Sequence, residues 1–163
     1  MLSVVGRHSC CYVAGPVTSS LEILLSPEVD GNSRESMVKA NRQRMHEVVD
    51  HLRGKLSVPV IDPGLLIVDE WEPRDYGAFF LRVLEELSCE VRLMNGWQFS
   101  FGASKEVVHA AKLGLPCRSI DGEAVTVSHA VELLSGAVET LGARGMDRSR
   151  FVQRVAELHR LGE

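Results

Sequence analysis

The residues of this chain best suited to chemistry lie between Met94 and Glu106, in the run Met-Asn-Gly-Trp-Gln-Phe-Ser-Phe-Gly-Ala-Ser-Lys-Glu. Ser100, Gly102 and Glu106 fall where an apolar, strand-like segment gives way to a helical pattern. The free amides of a helix start attract an anion; the Ser100 hydroxyl can donate to it, and Gly102 has no side chain to block close approach. The same pattern also fits an ordinary capped helix start. Glu106 lies in the first turns of that helix, where the macrodipole stabilises a carboxylate by about 0.3–1 kcal/mol. That field is expected to keep Glu106 ionised at neutral pH, as a carboxylate nucleophile requires. Asp75 heads another predicted helix, where it serves either as a helix-start residue or as an acid. Trp97, Phe99 and Phe101 flank the turn and read equally as a stacking surface for a base or as core pegs. His109, three residues beyond Glu106, shares its helical face and reads as packing.

The cysteines point away from metal chemistry. Cys10, Cys11, Cys89 and Cys117 form no C-x-x-C pair and have no histidine at zinc-like spacing. Neither a metal nor a cofactor is expected. In short apolar runs such thiols behave as small, reduced hydrophobes.

The elements that must position these residues follow from periodicity. Cys10 to Ala14 is a buried strand stopped by Gly15-Pro16, and Val17 to Gly31, with Pro27, reads as a long loop. Asn32 and Glu35 have capping-box spacing and predict a helix running to Gly54. Val58 to Asp62 is a second strand, Asp75 to Leu87 a second helix, and Cys89 to Met94 a third strand closed by the Asn95-Gly96 turn. Glu90 and Arg92 weaken the case that both faces of that strand are buried. Gly102 to Gly114 is a third helix and Leu115 to Ile120 a fourth strand. Two tail helices, Val125 to Leu141 and Asp147 to Leu161, complete the pattern.

Strand-helix alternation predicts an α/β, doubly wound, flavodoxin- or Rossmann-like sheet of about four to five mostly parallel strands, with helices on both faces and a helical C-terminal tail. At 163 residues one domain is expected over 1–163, with its core at about 10–120 and C-terminal helices at about 125–161. Such sheets bind ligands outside the carboxyl ends of their strands, so the loops after Ala14, Asp62 and Met94 should converge on one crevice. Tyr12, Thr18, Asp62, Asn95, Ser100 and Glu106 collect in or beside those loops. The composition is ordinary, with 45% hydrophobic residues, 25% charged residues and a net charge of −4. It argues against a polymeric nucleic-acid partner. No apolar run is long enough for a membrane span, and Arg7 and His8 interrupt what a signal peptide needs, so a cytoplasmic location is expected.

Several segments together resemble a family. Tyr12-Val13-Ala14-Gly15-Pro16-Val17-Thr18, Asp62-Pro63, Trp71 through Asp75-Tyr76, and Met94 through Glu106 followed by Ala110, Gly114 and Pro116 are similar to the nucleoside 2-deoxyribosyltransferase-like superfamily. The likeness covers most of residues 10–118. It is nearest to a small bacterial and phage branch reading Y-x-A-G-P-x-T and G-W-x-x-S-x-G-A-x-x-E. The resemblance implies an N-glycosidic hydrolase or transferase acting on a nucleoside 5′-monophosphate or related (deoxy)ribosyl compound. It casts Glu106 as nucleophile, Asp75 as the acid near the base, and Tyr12 as the residue orienting Glu106. Gly15, Pro16, Thr18, Asp62, Asn95, Gly96, Trp97, Ser100 and Gly102 become candidate substrate-binding residues. Ser100 resembles the serine of the 5′-monophosphate hydrolases, which favours a phosphorylated ligand. The loop after Gly15-Pro16 departs from the glycine-rich loop of those hydrolases. The resemblance also implies a homodimer or larger homo-oligomer. The alternative is a catalytically inactive nucleotide-binding or sensor domain of the same fold.

Overall fold

A computed structural model of the chain describes residues 9–26 and 30–162. Arg7, His8 and Pro27, on which two of the sequence readings rest, lie outside the described residues. The fold is α/β and doubly wound, with four parallel strands in the order β2-β1-β3-β4. The strands are β1 (Cys10–Ala14), β2 (Val60–Ile61), β3 (Ser88–Leu93) and β4 (Cys117–Ser119). The helices are α1 (Leu21–Leu24), α2 (Gly31–Arg53), α3 (Pro73–Leu87), α4 (Phe101–Lys112), α5 (Val127–Gly142) and α6 (Ser149–Gly162).

Every residue of β1 is buried, because β1 is central: Tyr12 pairs with Ile61 on one side and Val91 on the other. Alternation along the strand divides its side chains between two cores. Cys11 and Val13 meet Met45, Val49 and Leu52 of α2. Tyr12 and Ala14 point to the opposite face, which α3 through α6 cover with Phe80, Leu84, Val107, Leu134, Phe151 and Leu158. Burying each such large apolar side chain contributes about 1.5–3 kcal/mol. The tail helices therefore thicken one layer, and α2 covers the other face near β1 and β2.

Local chemistry moves several predicted boundaries. The first long helix begins at Gly31, since the Asp30 carboxylate, not Asn32, accepts the Ser33 amide at 2.9 Å. Part of the predicted loop is helical: the Ser20 hydroxyl accepts the Ile23 amide and starts the single turn α1. Only Val60–Ile61 of the second predicted strand pairs, because Asp62 turns away to cap a 3-10 turn over Pro63–Leu65. On β3, Glu90 and Arg92 form an ion pair at 3.0 Å, and Arg118 of β4 approaches Glu90 at 3.7 Å. That pairing is how a strand with alternating charges stays inside the sheet. All four cysteines are free thiols. Burial pushes Cys11 up to about 12 and Cys117 up to about 11, which leaves both protonated and unreactive.

Candidate active site

The strand order places a topological switch point between β1 and β3, where the chain leaves β1 toward α2 on one face and leaves β3 toward α4 on the other. The two loops meet closely there. A Cβ on Gly15 would lie 2.6 Å from the Met94 sulfur, so only glycine lets the β1 loop cross the end of β3. Gly96 has φ +85°, a left-handed conformation that the Asn95-Gly96 turn requires.

From this frame Tyr12, fully buried, donates its hydroxyl to Glu106 Oε1 at 2.9 Å. Tyr12 comes from the central strand and Glu106 from the second turn of α4, ninety-four residues later. Glu106 stays partly accessible, and its Oε2 has no hydrogen-bond partner among the described residues. The low pKa expected for Glu106 is not what its surroundings produce. Burial raises it to about 7, partly offset by the Tyr12 hydrogen bond and the Lys105 ammonium. Desolvation is the largest influence on this carboxylate and outweighs the groups that favour its charge. The Tyr12 phenol is pushed well above its ordinary value by burial and by the neighbouring Glu106.

The other candidates separate. Gly15, Pro16 and Asn95 sit at the switch point, and Pro16 and Asn95 border a cavity of about 460 Å³ that opens beside α2 with Asn41, Met94, Ile120 and Asp121. Thr18 is exposed on the β1 loop. Asp62 is not free for a ligand: its carboxylate, 2% exposed, accepts the Gly64 amide at 2.9 Å and meets His46 Nδ1 at 3.1 Å. Trp97 is 3% exposed and packs in the core, which is the peg reading. Phe101 stacks on Phe151 with ring centroids 5.0 Å apart and carries Arg150 over its ring. Ser100 is buried and caps α4, accepting the Ala103 amide at 3.3 Å, while Gly102 is exposed beside it. Asp75 uses Oδ2 to accept the Glu72 amide at 2.8 Å at the head of α3. His109 packs across to α3 through Glu85 Oε1 at 2.8 Å.

Two contributors have no signature in sequence. Ser19, buried, accepts the Phe101 amide at 3.0 Å. Asn41, 1% exposed on α2, donates to the Val17 carbonyl at 3.1 Å and fastens the β1 loop. A serine in a loop and an asparagine in a helix are common, and only the tertiary fold gives these two a task. Lys105 lies against α3, its ammonium 3.7 Å from where a Cβ on Gly77 would stand. It is exposed and has no ion-pair partner among the described residues.

The fold and site thus define an α/β doubly wound protein in which a buried tyrosine holds a partly accessible glutamate at the switch point. No family model, no curated protein and no solved structure matches the chain. No metal-holding cluster of His, Cys, Asp and Glu occurs among the described residues, and no helix there is long and apolar enough to cross a membrane.

Proposed function

We propose that this chain cleaves or transfers the N-glycosidic bond of a nucleoside, its 5′-monophosphate or a related (deoxy)ribosyl compound, with Glu106 as nucleophile. The observation that carries the reading is the 2.9 Å hydrogen bond from Tyr12 to Glu106 Oε1, which orients a carboxylate at the β1/β3 switch point while leaving Oε2 unpartnered. In the ionised form Oε2 attacks C1′ as the bond from C1′ to the base nitrogen breaks. The base departs with the bonding electrons and takes a proton, leaving a glycosyl ester on Glu106. Water, or a second base, then attacks C1′ and restores the carboxylate. Asp75, at the head of α3, is assigned to the departing base, with Oδ2 accepting the Glu72 amide and Oδ1 3.9 Å from Arg74 Nε; the base takes its proton from water.

The test is release of free base from a panel of ribo- and deoxynucleosides and their 5′-monophosphates, followed by chromatography. Wild type is expected to release base from at least one member and Glu106→Gln to lose that turnover by at least about a thousandfold, as removal of a covalent nucleophile does. Glu106→Gln with wild-type turnover would remove Glu106 from the role. The α2-side cavity favours a second reading, a nucleotide-binding domain without turnover. At about 460 Å³ it is large enough for a small ligand, and neither Tyr12 nor Glu106 lines it. Saturable binding without any product would select that reading.

A further inference from the structure

We infer that the cavity on the α2 side of the sheet is a second ligand site, which takes a small neutral heterocycle carrying an amino group and holds it by the side-chain carbonyl of Asn41. The inference rests on the binding reading of that cavity and stands whatever Glu106 does. It starts from one atom. Asn41 is 1% exposed on α2, and its Nδ2 donates to the Val17 carbonyl at 3.1 Å. That bond fixes which end of the amide is which and leaves Oδ1 without a hydrogen bond among the described residues, though not sealed from solvent. An interior amide oxygen normally has a donor, because leaving it unmet forfeits its hydration. Asn41 borders the cavity of about 460 Å³, so a donor placed in that space is the partner open to Oδ1.

The walls and the rim define the ligand class. Val48 from α2, with Met94 and Ile120 just past β3 and β4, gives the cavity apolar walls, which suit the faces of a ring. Since Nδ2 of Asn41 is already engaged, the polar point this residue offers is an acceptor, and the ligand must bring the N–H. The rim holds Arg44 and His51 together with Glu47 and Asp121. It carries no net positive charge whether or not His51 is protonated, and Arg44 already reaches Glu22 at 3.4 Å. A phosphate of charge roughly −1.5 to −2 would find no unopposed cation there. The site is also separate from the Tyr12–Glu106 pair. Met94 and Val13 belong to the core between the sheet and α2, whereas Tyr12 belongs to the core on the opposite face.

The experiment titrates the full chain with 9-methyladenine, whose amino group is its only N–H donor, and with 6-dimethylamino-9-methylpurine, which has none. NMR signals locate the ligand and calorimetry gives its affinity, for wild type, Val48→Phe and Glu106→Gln. 9-Methyladenine is expected to saturate below about 1 mM, to move the Asn41 side-chain amide and Met94 methyl signals, and to bind Glu106→Gln as it binds wild type. Dimethylation of the amino group is expected to weaken binding about tenfold. Val48→Phe, which fills the cavity and leaves Asn41 in place, is expected to abolish it. Equal affinity for the two purines, or full binding by a folded Val48→Phe, would overturn the site. Binding lost in Glu106→Gln alone would put the ring on the other face and overturn it as well. If Val48→Phe does not fold, the wild-type signals decide: movement of Asn41 and Met94 sustains the site, and movement confined to Tyr12 and Val107 refutes it. Deoxyadenosine 5′-monophosphate bound in the cavity more tightly than 9-methyladenine would overturn the neutral class and keep the nucleotide reading. No movement of Asn41 or Met94 with any of these titrants would overturn both.

Discussion

Glu106 holds its charged and neutral forms near balance around pH 7, because burial opposes the charge while Tyr12 and Lys105 support it. Turnover that needs the carboxylate is therefore expected to rise with pH through about 7 and level off above it. Lys105→Met removes a nearby positive charge and moves that midpoint upward in the kcat/KM profile; an unmoved midpoint would assign Lys105 to solvent. The stability effect has a definite sign. The folded value of about 7 exceeds the ordinary 4.5, so the stabilisation is complete below about 4.5 and is lost as pH rises through about 7. Glu106→Gln never ionises and still accepts from Tyr12. It is expected to exceed wild type in stability above pH 7, by on the order of 1–3 kcal/mol in urea unfolding. A difference independent of pH would mean that the buried charge is not the cause.

At the scale of elements, α4 is the helix on which the site depends, and its start is built from side chains of two segments. Ser100 supplies the N-cap, Ser19 reaches from the β1 loop, and Phe101 packs on Phe151 of α6. Ser100→Ala is expected to cost about 1 kcal/mol in chemical unfolding, the usual loss for an N-cap, whereas Ser100→Asn retains most of it. If Ser100 were there for a ligand alone, Ser100→Ala would leave stability unchanged. The capping role was legible in Ser100-Phe101-Gly102-Ala103, where both an anion site and a cap fit the residues. The start of α2 was less legible. Asn32 and Glu35 satisfy the spacing of a capping box, but Asp30 lies two residues earlier and its carboxylate reaches the Ser33 amide first. Short polar residues compete for one helix end, and one-dimensional spacing does not rank them.

At the scale of the whole molecule, the two tail helices set the depth of the site. α6 runs beside α4, joined by the Phe101–Phe151 stack near their starts and by the Lys112–Glu157 ion pair farther along. Phe151, Leu134, Leu141 and Leu158 are fully buried, so the layer that covers Tyr12 and the inner side of α4 continues into the tail. Phe151→Ala is expected to lower stability by about 3–5 kcal/mol, the cost of a large core cavity, measured as a lowered midpoint in urea. A loss below about 1 kcal/mol would place α6 outside the cooperative core.

The sequence by itself determined the class of fold, because apolar runs of strand length alternating with amphipathic helices have few ways to bury their faces besides a parallel, doubly wound sheet. It also placed Tyr12 on the first strand and Glu106 early in the helix that follows the third, elements that such a sheet must bring to one edge. Only the tertiary structure decided the strand order, and with it that β1 and β3 are neighbours; the contact of Tyr12 with Glu106 is what the family resemblance implies, and the structure gives it a length of 2.9 Å. It likewise turned Asp62 toward His46, sank Trp97 into the core and lifted the Glu106 pKa. The physical reason is common to all of these. Propensity and periodicity are local along the chain, whereas desolvation, hydrogen-bond competition and contact between distant segments depend on everything that packs around a side chain.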